Sequence, residues 1–136
     1  MRLPTHIRRF CKAILREYSL MKRELAALEE ERAAVASFPT ATWQRPVQAR
    51  VLADPTCVVA FRLLRLEERW RQVKFYVQAV EDVLACLDVE KRRLVEMRFF
   101  DGLPQWRVIE VLGISDSTFF RHEKEVLAML AHRLGL

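Results

Sequence analysis

DVEKRRLVEMRFFDGLPQWRVIEVLGISDSTFFRHEKEVLAMLAHRLGL, residues 88–136, is the stretch whose reading decides the fold. Two apolar helical patterns meet in it at Gly113-Ile114-Ser115. Glycine tolerates the left-handed backbone that a tight turn needs. Ile114 can plug the core beneath the turn, and the Ser115 hydroxyl can cap the helix that follows. Upstream, Asp88 is placed as an N-cap for a helix over Lys91–Phe99. Its Leu94, Val95 and Met97, with Phe99 and Phe100, supply an apolar face, and Asp101-Gly102 ends it. Pro104 suits the first turn of a second helix, QWRVIEVLG, because the missing N–H is no loss there. Val108, Ile109, Val111 and Leu112 are expected to point inward from it. A third helix is predicted over Asp116–Arg133, with Phe119, Val126, Leu127, Leu130 and Leu134 as its buried stripe. Together these patterns predict a helix-turn-helix, whose last helix can enter a DNA major groove.

If Phe119 faces inward, the leading surface of the third helix carries Asp116, Ser117, Phe120, Arg121 and Lys124. Arg121 is suited to a bidentate contact with guanine, and Ser117 to a bond with any base edge. Phe120 has two uses, a thymine methyl contact or packing on the second helix. Ser115 and Thr118 join the DNA-facing edge, Thr118 within reach of phosphates. Gln105 and Arg107, opening the second helix, fit phosphate contacts, which position without specifying sequence. His122 has a phosphate reading, but a solvated or helix-pairing role is the simpler one. Trp106 invites a base-stacking role, but its large ring is more simply expected in the core or covering the helix joint.

Upstream of this region the chain divides into three. A helix is predicted from about Pro4 to Ala36. Along it Ile7, Cys11, Ile14, Tyr18, Met21, Leu25, Leu28 and Val35 step by threes and fours, with Arg32 in the one gap. A linker follows over Ser37–Thr56, interrupted by Pro39, Pro46 and Pro55. A second helix is predicted from about Cys57 to Leu87, with Val59, Leu63, Leu66, Trp70, Val73, Val77, Val80, Leu84 and Leu87 in the same rhythm. Steps of three and four sustained over several heptads indicate a coiled-coil seam. Run antiparallel, the two seams match with Ile14 opposite Val77 and Leu25 opposite Leu66. That register sets Glu24 against Arg69, Glu31 against Arg62, Lys22 against Glu67 and Arg8 against Glu81. Exposed pairs contribute only about 0.2–1 kcal/mol each, so they select register rather than stabilise. The fold expected is therefore all-α: an antiparallel helical hairpin over residues 1–87, then the helix-turn-helix over 88–136. The same seams would also serve an intermolecular coiled coil.

Composition narrows the function classes. The chain has 136 residues, a formal net charge of +5, 51% hydrophobic residues and only three glycines. Such a chain has apolar material for a packed core, and scarce glycine with abundant charge favours helix over sheet. From Asp88 onward eight Lys/Arg meet eight Asp/Glu, so the whole positive excess lies in residues 1–87. Phosphate neutralisation supplies most non-specific DNA affinity. A neutral reading head therefore needs help from the preceding helices, from a protein partner or from dimerisation. No apolar run is long enough to span a bilayer, and the N-terminus lacks the apolar stretch and cleavage site of a secretory signal. Cys11, Cys57 and Cys86 form no zinc pattern and fit a reducing cytoplasm as buried thiols.

The block VEKRRLVEMRFFDGLPQWRVIEVLGISDSTFFRHEKEVLAML resembles the fourth region of bacterial sigma factors, which reads the upstream promoter element. In layout the whole chain resembles the RinA/ArpU-type regulators of bacteriophages of Gram-positive bacteria. The matching features are LREY in the first helix, a long helix ahead of the head, RRLVEMRFFDG, QWRVIEVLGIS and STFFRHEKEVLAMLAHRLG. The resemblance implies a cytoplasmic, sigma-like activator of phage late packaging and morphogenesis genes. It would act on double-stranded promoter DNA with bacterial RNA polymerase, and as a homodimer if affinity is to be raised further. It also implies base contacts at Asp116, Ser117, Phe120 and Arg121. Sigma factors commonly carry basic or amide side chains where Asp116 and Phe120 stand, so their sequence preference does not transfer.

Catalysis is not expected. No glycine-rich phosphate loop is present, and His6, His122 and His132 stand at no metal-binding spacing. Neither a metal nor a cofactor is expected. Glu29-Glu30-Glu31 reads as a solvated helix face. Two further functions fit a helical chain with this motif: a phage small terminase subunit binding packaging-site DNA, and a protein-interaction adaptor.

Overall fold

The computed structural model describes residues 2–36 and 55–136, and among these the structure is all helical, with no strand. The elements are α1 (Thr5–Ala36), α2 (Pro55–Cys86), α3 (Val89–Val95), a π turn (Glu96–Phe100), α4 (Gln105–Leu112) and α5 (Asp116–Arg133). The linker expected over Ser37–Thr56 lies almost wholly outside the described residues. The second long helix begins at Pro55, two residues ahead of the expected start, where a proline opening a helix loses no hydrogen bond. Two compact units form, one from Met1–Met21 with Phe75–Leu136, the other from Lys22–Lys74. The expected division after Leu87 falls inside the first unit.

The Lys22–Lys74 unit brings together the end of α1 and the start of α2. Leu25, Leu28, Val35, Val59 and Leu63 are half-buried in it, and Leu66 and Val73 are buried. Arg69 forks onto Glu24 at 2.6 and 3.0 Å, while Arg32 forks onto Glu67 at 2.6 and 3.2 Å. Residue numbers thus run in opposite senses along the two helices. Of the expected charge pairs, Glu24 with Arg69 forms. Glu67 takes Arg32 in its fork, and Glu31 and Arg62 make no pair with each other. Arg32 explains its own place in an apolar seam. Its guanidinium lies 3.7 Å from the Trp70 ring centroid, with the Lys74 ammonium 4.5 Å from the same ring. A cation over an indole face contributes about 0.5–1 kcal/mol at an exposed site and more when desolvated. Val58, Phe61 and Leu64 are left exposed on α2.

The larger unit joins the start of α1 and the end of α2 to the three helical segments after them. Cys11, Ile14, Leu15 and Tyr18 of α1 are buried, as are Val77, Val80 and Val83 of α2. The Tyr18 hydroxyl donates to Glu81 at 2.9 Å, in the place expected for Arg8. Arg8 instead donates to the Leu3 carbonyl at 3.4 Å. Cys57 and Cys86 are exposed, contrary to expectation, because both stand off the α2 seam; Cys11 alone of the three is buried. Burial also pushes the Cys11 thiol above its ordinary range.

The first helix of the C-terminal region departs from regular α geometry. Leu94, Val95, Met97, Phe99 and Phe100 would spread around an ordinary helix at 100° per residue. The π turn over Glu96–Phe100, closed by Asp101 N–H onto the Glu96 carbonyl at 2.8 Å, inserts a residue and re-aims the two phenylalanines. Phe99 is buried, and Phe100 stacks on Tyr18 with centroids 5.0 Å apart.

Candidate nucleic-acid interface

Leu94 of α3, Val108 of α4 and Phe119 of α5 form a fully buried cluster, ringed by Met97, Leu103, Ile109, Leu112 and Ile114. Burying each such side chain contributes roughly 1.5–3 kcal/mol, which fixes how the three segments sit together. Asp88 caps α3 as expected, its carboxylate accepting the Lys91 N–H at 2.9 Å. Gly113 ends α4 at φ +65°, and its N–H bonds the Ile109 carbonyl at 2.9 Å. Ser115 then caps α5: its hydroxyl accepts the Thr118 N–H at 3.2 Å and meets the Thr118 hydroxyl at 2.9 Å. Each feature read from Gly113-Ile114-Ser115 is present, including Ile114 against the cluster.

The orientation of α5 follows from its buried residues. Phe119, Val126, Leu127, Leu130 and Ala131 face inward, and Leu134, beyond the helix end, is half-buried. That leaves Asp116, Ser117, Phe120, Arg121 and Lys124 exposed on one leading surface. Phe120 is 54% exposed and meets only the edge of Phe119 among the aromatic rings described. Gln105 is half-buried at the start of α4; Arg107 is exposed and 3.6 Å from Glu110. The Ser115 and Thr118 hydroxyls are engaged with each other in the cap, so both shape the helix start.

Two expectations here are corrected, and one alternative is decided. Trp106 is 66% exposed, not in the core. Val108, two residues on and about 200° round the helix, holds the inward position instead. Val111, only about 60° round the helix from Val108, is also exposed, at 45%. His122, which had a phosphate reading, is buried at 9% and faces Glu90 with Nδ1 4.0 Å from the carboxylate. It therefore belongs to the contact between α3 and α5, in line with its helix-pairing reading.

No family model, curated protein or solved structure matches the chain. The site is accordingly read from its own chemistry. Ion pairs tie α5 to its surroundings: Lys12 of α1 to Glu123 at 3.0 Å, Lys91 of α3 to Glu125 at 2.6 Å, and Arg133 to Asp82 of α2. The hydrogen bond to Lys91 holds the Glu125 carboxyl below its ordinary range and raises Lys91 in return. Both acids in the middle of α5 are thus already matched by lysines.

The N-terminal residues form a part of this surface that the local motif did not reveal. A groove of about 230 Å³ beside α5 is lined by Arg2, Arg8, Lys12, Phe120 and Lys124 among others. A second groove is lined by Arg2, Arg121, Lys124, Glu125 and Ala128. The signal available in the sequence was the uneven charge, with all the excess before residue 88. Among the described residues no group of three His, Cys, Asp or Glu side chains is placed to hold a metal ion, and no helix is long and apolar enough to cross a membrane.

Proposed function

We propose that this protein is a sequence-specific DNA-binding activator of phage late genes, working at a promoter in the host cytoplasm with bacterial RNA polymerase. The observation that carries the reading is the division of α5. Its inner stripe is anchored on α3 and α4, while Ser117, Phe120, Arg121 and Lys124 stand together in solvent at its leading end. A rigidly held helix with donors at its start is what direct readout requires. In the proposed roles Arg121 addresses guanine, Ser117 a neighbouring base edge and Phe120 a thymine methyl. Gln105 and Arg107 contact phosphate from the start of α4. Ser115 and Thr118 hold the first turn in place. The resemblance to RinA/ArpU-type regulators supplies the phage late genes and the polymerase partner. The test is selection of DNA from a random pool at stated salt, followed by footprinting with and without polymerase. Enrichment of one motif and protection upstream of a late operon are expected; no enrichment and no protection in either condition would reject the reading.

A homodimer belongs to the same proposal. Val58, Phe61 and Leu64 are exposed apolar residues on one side of α2, with Arg65 among them and Arg62 beside them. The exposed acids Glu29, Glu30 and Glu31 stand on α1 in the same compact unit. The exposed apolar side of α2 also keeps the small terminase reading in play, since packaging rings need subunit contacts. Mass in solution separates the two: a dimer fits the activator, and a closed ring of many subunits fits packaging.

A further inference from the structure

The recognition surface in the larger unit has more charge than its own segment provides. Lys124 and Arg2 each line both of two grooves. Arg8 joins one groove and Arg121 the other. The acids nearest to them are already matched, Glu123 by Lys12 and Glu125 by Lys91. Among the described residues none of Arg2, Arg8, Arg121 and Lys124 is in an ion pair. Four cations outside any ion pair, against the two lysine-matched acids Glu123 and Glu125, therefore line the grooves beside a helix whose own segment, residues 88–136, is formally neutral. Two of the four come from the opposite end of the chain. The Lys12–Glu123 bridge fixes α1 against α5, and the Arg8 bond to the Leu3 carbonyl ties the residues before α1 to its first turn.

Resting on the DNA-binding reading, we infer that Arg2 and Arg8, with Lys124, form a phosphate-binding site that clamps the backbone of the duplex read by α5. Arginine in a groove meets a phosphate with paired donors, and lysine adds a point charge. Contacts of this kind fix position and carry no base information. The site supplies the non-specific affinity that the neutral head lacks. It also makes α1 a part of the interface rather than only a support for it.

The experiment measures binding of the full chain to its selected duplex over a range of salt concentrations. The wild type is compared with Arg2→Ala, Arg8→Ala, Lys124→Ala and the control Arg71→Ala, which removes an exposed charge from the other compact unit. Each lost phosphate contact lowers the slope of log K against log salt by about 0.9, which is about eightfold in affinity at 0.1 M salt. The three groove variants are expected to show that change with the preferred sequence retained, and Arg71→Ala to show none. Arg8→Lys is expected to recover most of the slope, which separates charge from a folding defect. The inference is overturned if Arg2→Ala and Arg8→Ala leave the slope at its wild-type value while Arg121→Ala weakens binding; the reading head then stands alone. It is equally overturned if the groove variants bind bare DNA normally and lose only the polymerase-dependent footprint, because the groove would then hold protein. Absence of DNA binding by the wild type would remove both this inference and the function beneath it.

Discussion

Arg121 and Tyr18 are two residues whose behaviour the geometry makes specific. Arg121 is exposed on the leading surface of α5, with its backbone held by Phe119 inside and the Ser115 cap ahead. Removing it should leave the fold intact and relax the base preference at one position. Arg121→Ala is expected to lose about 1–3 kcal/mol of discrimination there. Repeating the DNA selection on the variant measures this, and an unchanged motif would take Arg121 out of base readout. Tyr18 is inside the same unit, donating to Glu81 and stacked on Phe100. Burial, with the Glu81 carboxylate beside it, pushes its hydroxyl from 10.0 up to about 12. The folded pKa exceeds the unfolded one, so the linked stability is complete below pH 10 and is lost as pH rises through 12. Thermal unfolding followed from pH 9 upward should show this alkaline decline. Tyr18→Phe should abolish its Tyr18-dependent part at a small loss of neutral-pH stability. Parallel pH profiles for the two proteins would show that Tyr18 is not the titrating group.

At the scale of an element, α5 is defined at its start by one hydroxyl. Ser115→Ala removes the acceptor for the Thr118 N–H and the partner of the Thr118 hydroxyl. Loss of such a cap costs about 1 kcal/mol. Here the fraying would fall on the turn that carries Ser117, so DNA affinity should drop further than global stability alone explains. Denaturant midpoints set beside binding constants would reveal the excess, and equal losses would mean that the first turn is not where recognition occurs. The cap was legible in the sequence because Gly-Ile-Ser is a local signal, complete within a few residues. The seams were legible too: every position from Ile7 to Val35 and from Val59 to Leu87 in the two rhythms is buried or half-buried. What local pattern could not give was the angular detail. Trp106 and Val111 share α4 with Val108, and which of them faces inward depends on the helix's contacts. The π turn escaped for a related reason, since it answers a conflict between Phe99 and Phe100 that appears only when both must be packed. The side-chain register escaped as well, because Glu67, expected opposite Lys22, takes the Arg32 fork, and Arg32 also lies over Trp70.

For the molecule as a whole, the decisive quantity is where charge and apolar surface remain after the helices have packed. The count of charges showed that the excess precedes residue 88, but only tertiary structure brings Arg2 and Arg8 beside α5. The exposed strip of Val58, Phe61 and Leu64 likewise emerges once the opposite face of α2 is occupied by its seam. A helix apolar on both sides is ordinarily covered on both. A second copy can cover it in the self-complementary manner of a two-fold interface. Two reading heads on one duplex would then raise affinity through effective concentration, by about 10²–10⁴ where both half-sites are engaged. Sedimentation of the full chain should accordingly give a dimer. Phe61→Glu with Leu64→Glu should give a folded monomer, since both side chains already stand in solvent. That monomer should retain its preference on a single half-site and lose the gain on a paired one. A wild-type chain that sediments as a monomer and binds single and paired half-sites equally would leave the α2 strip without a role in DNA binding.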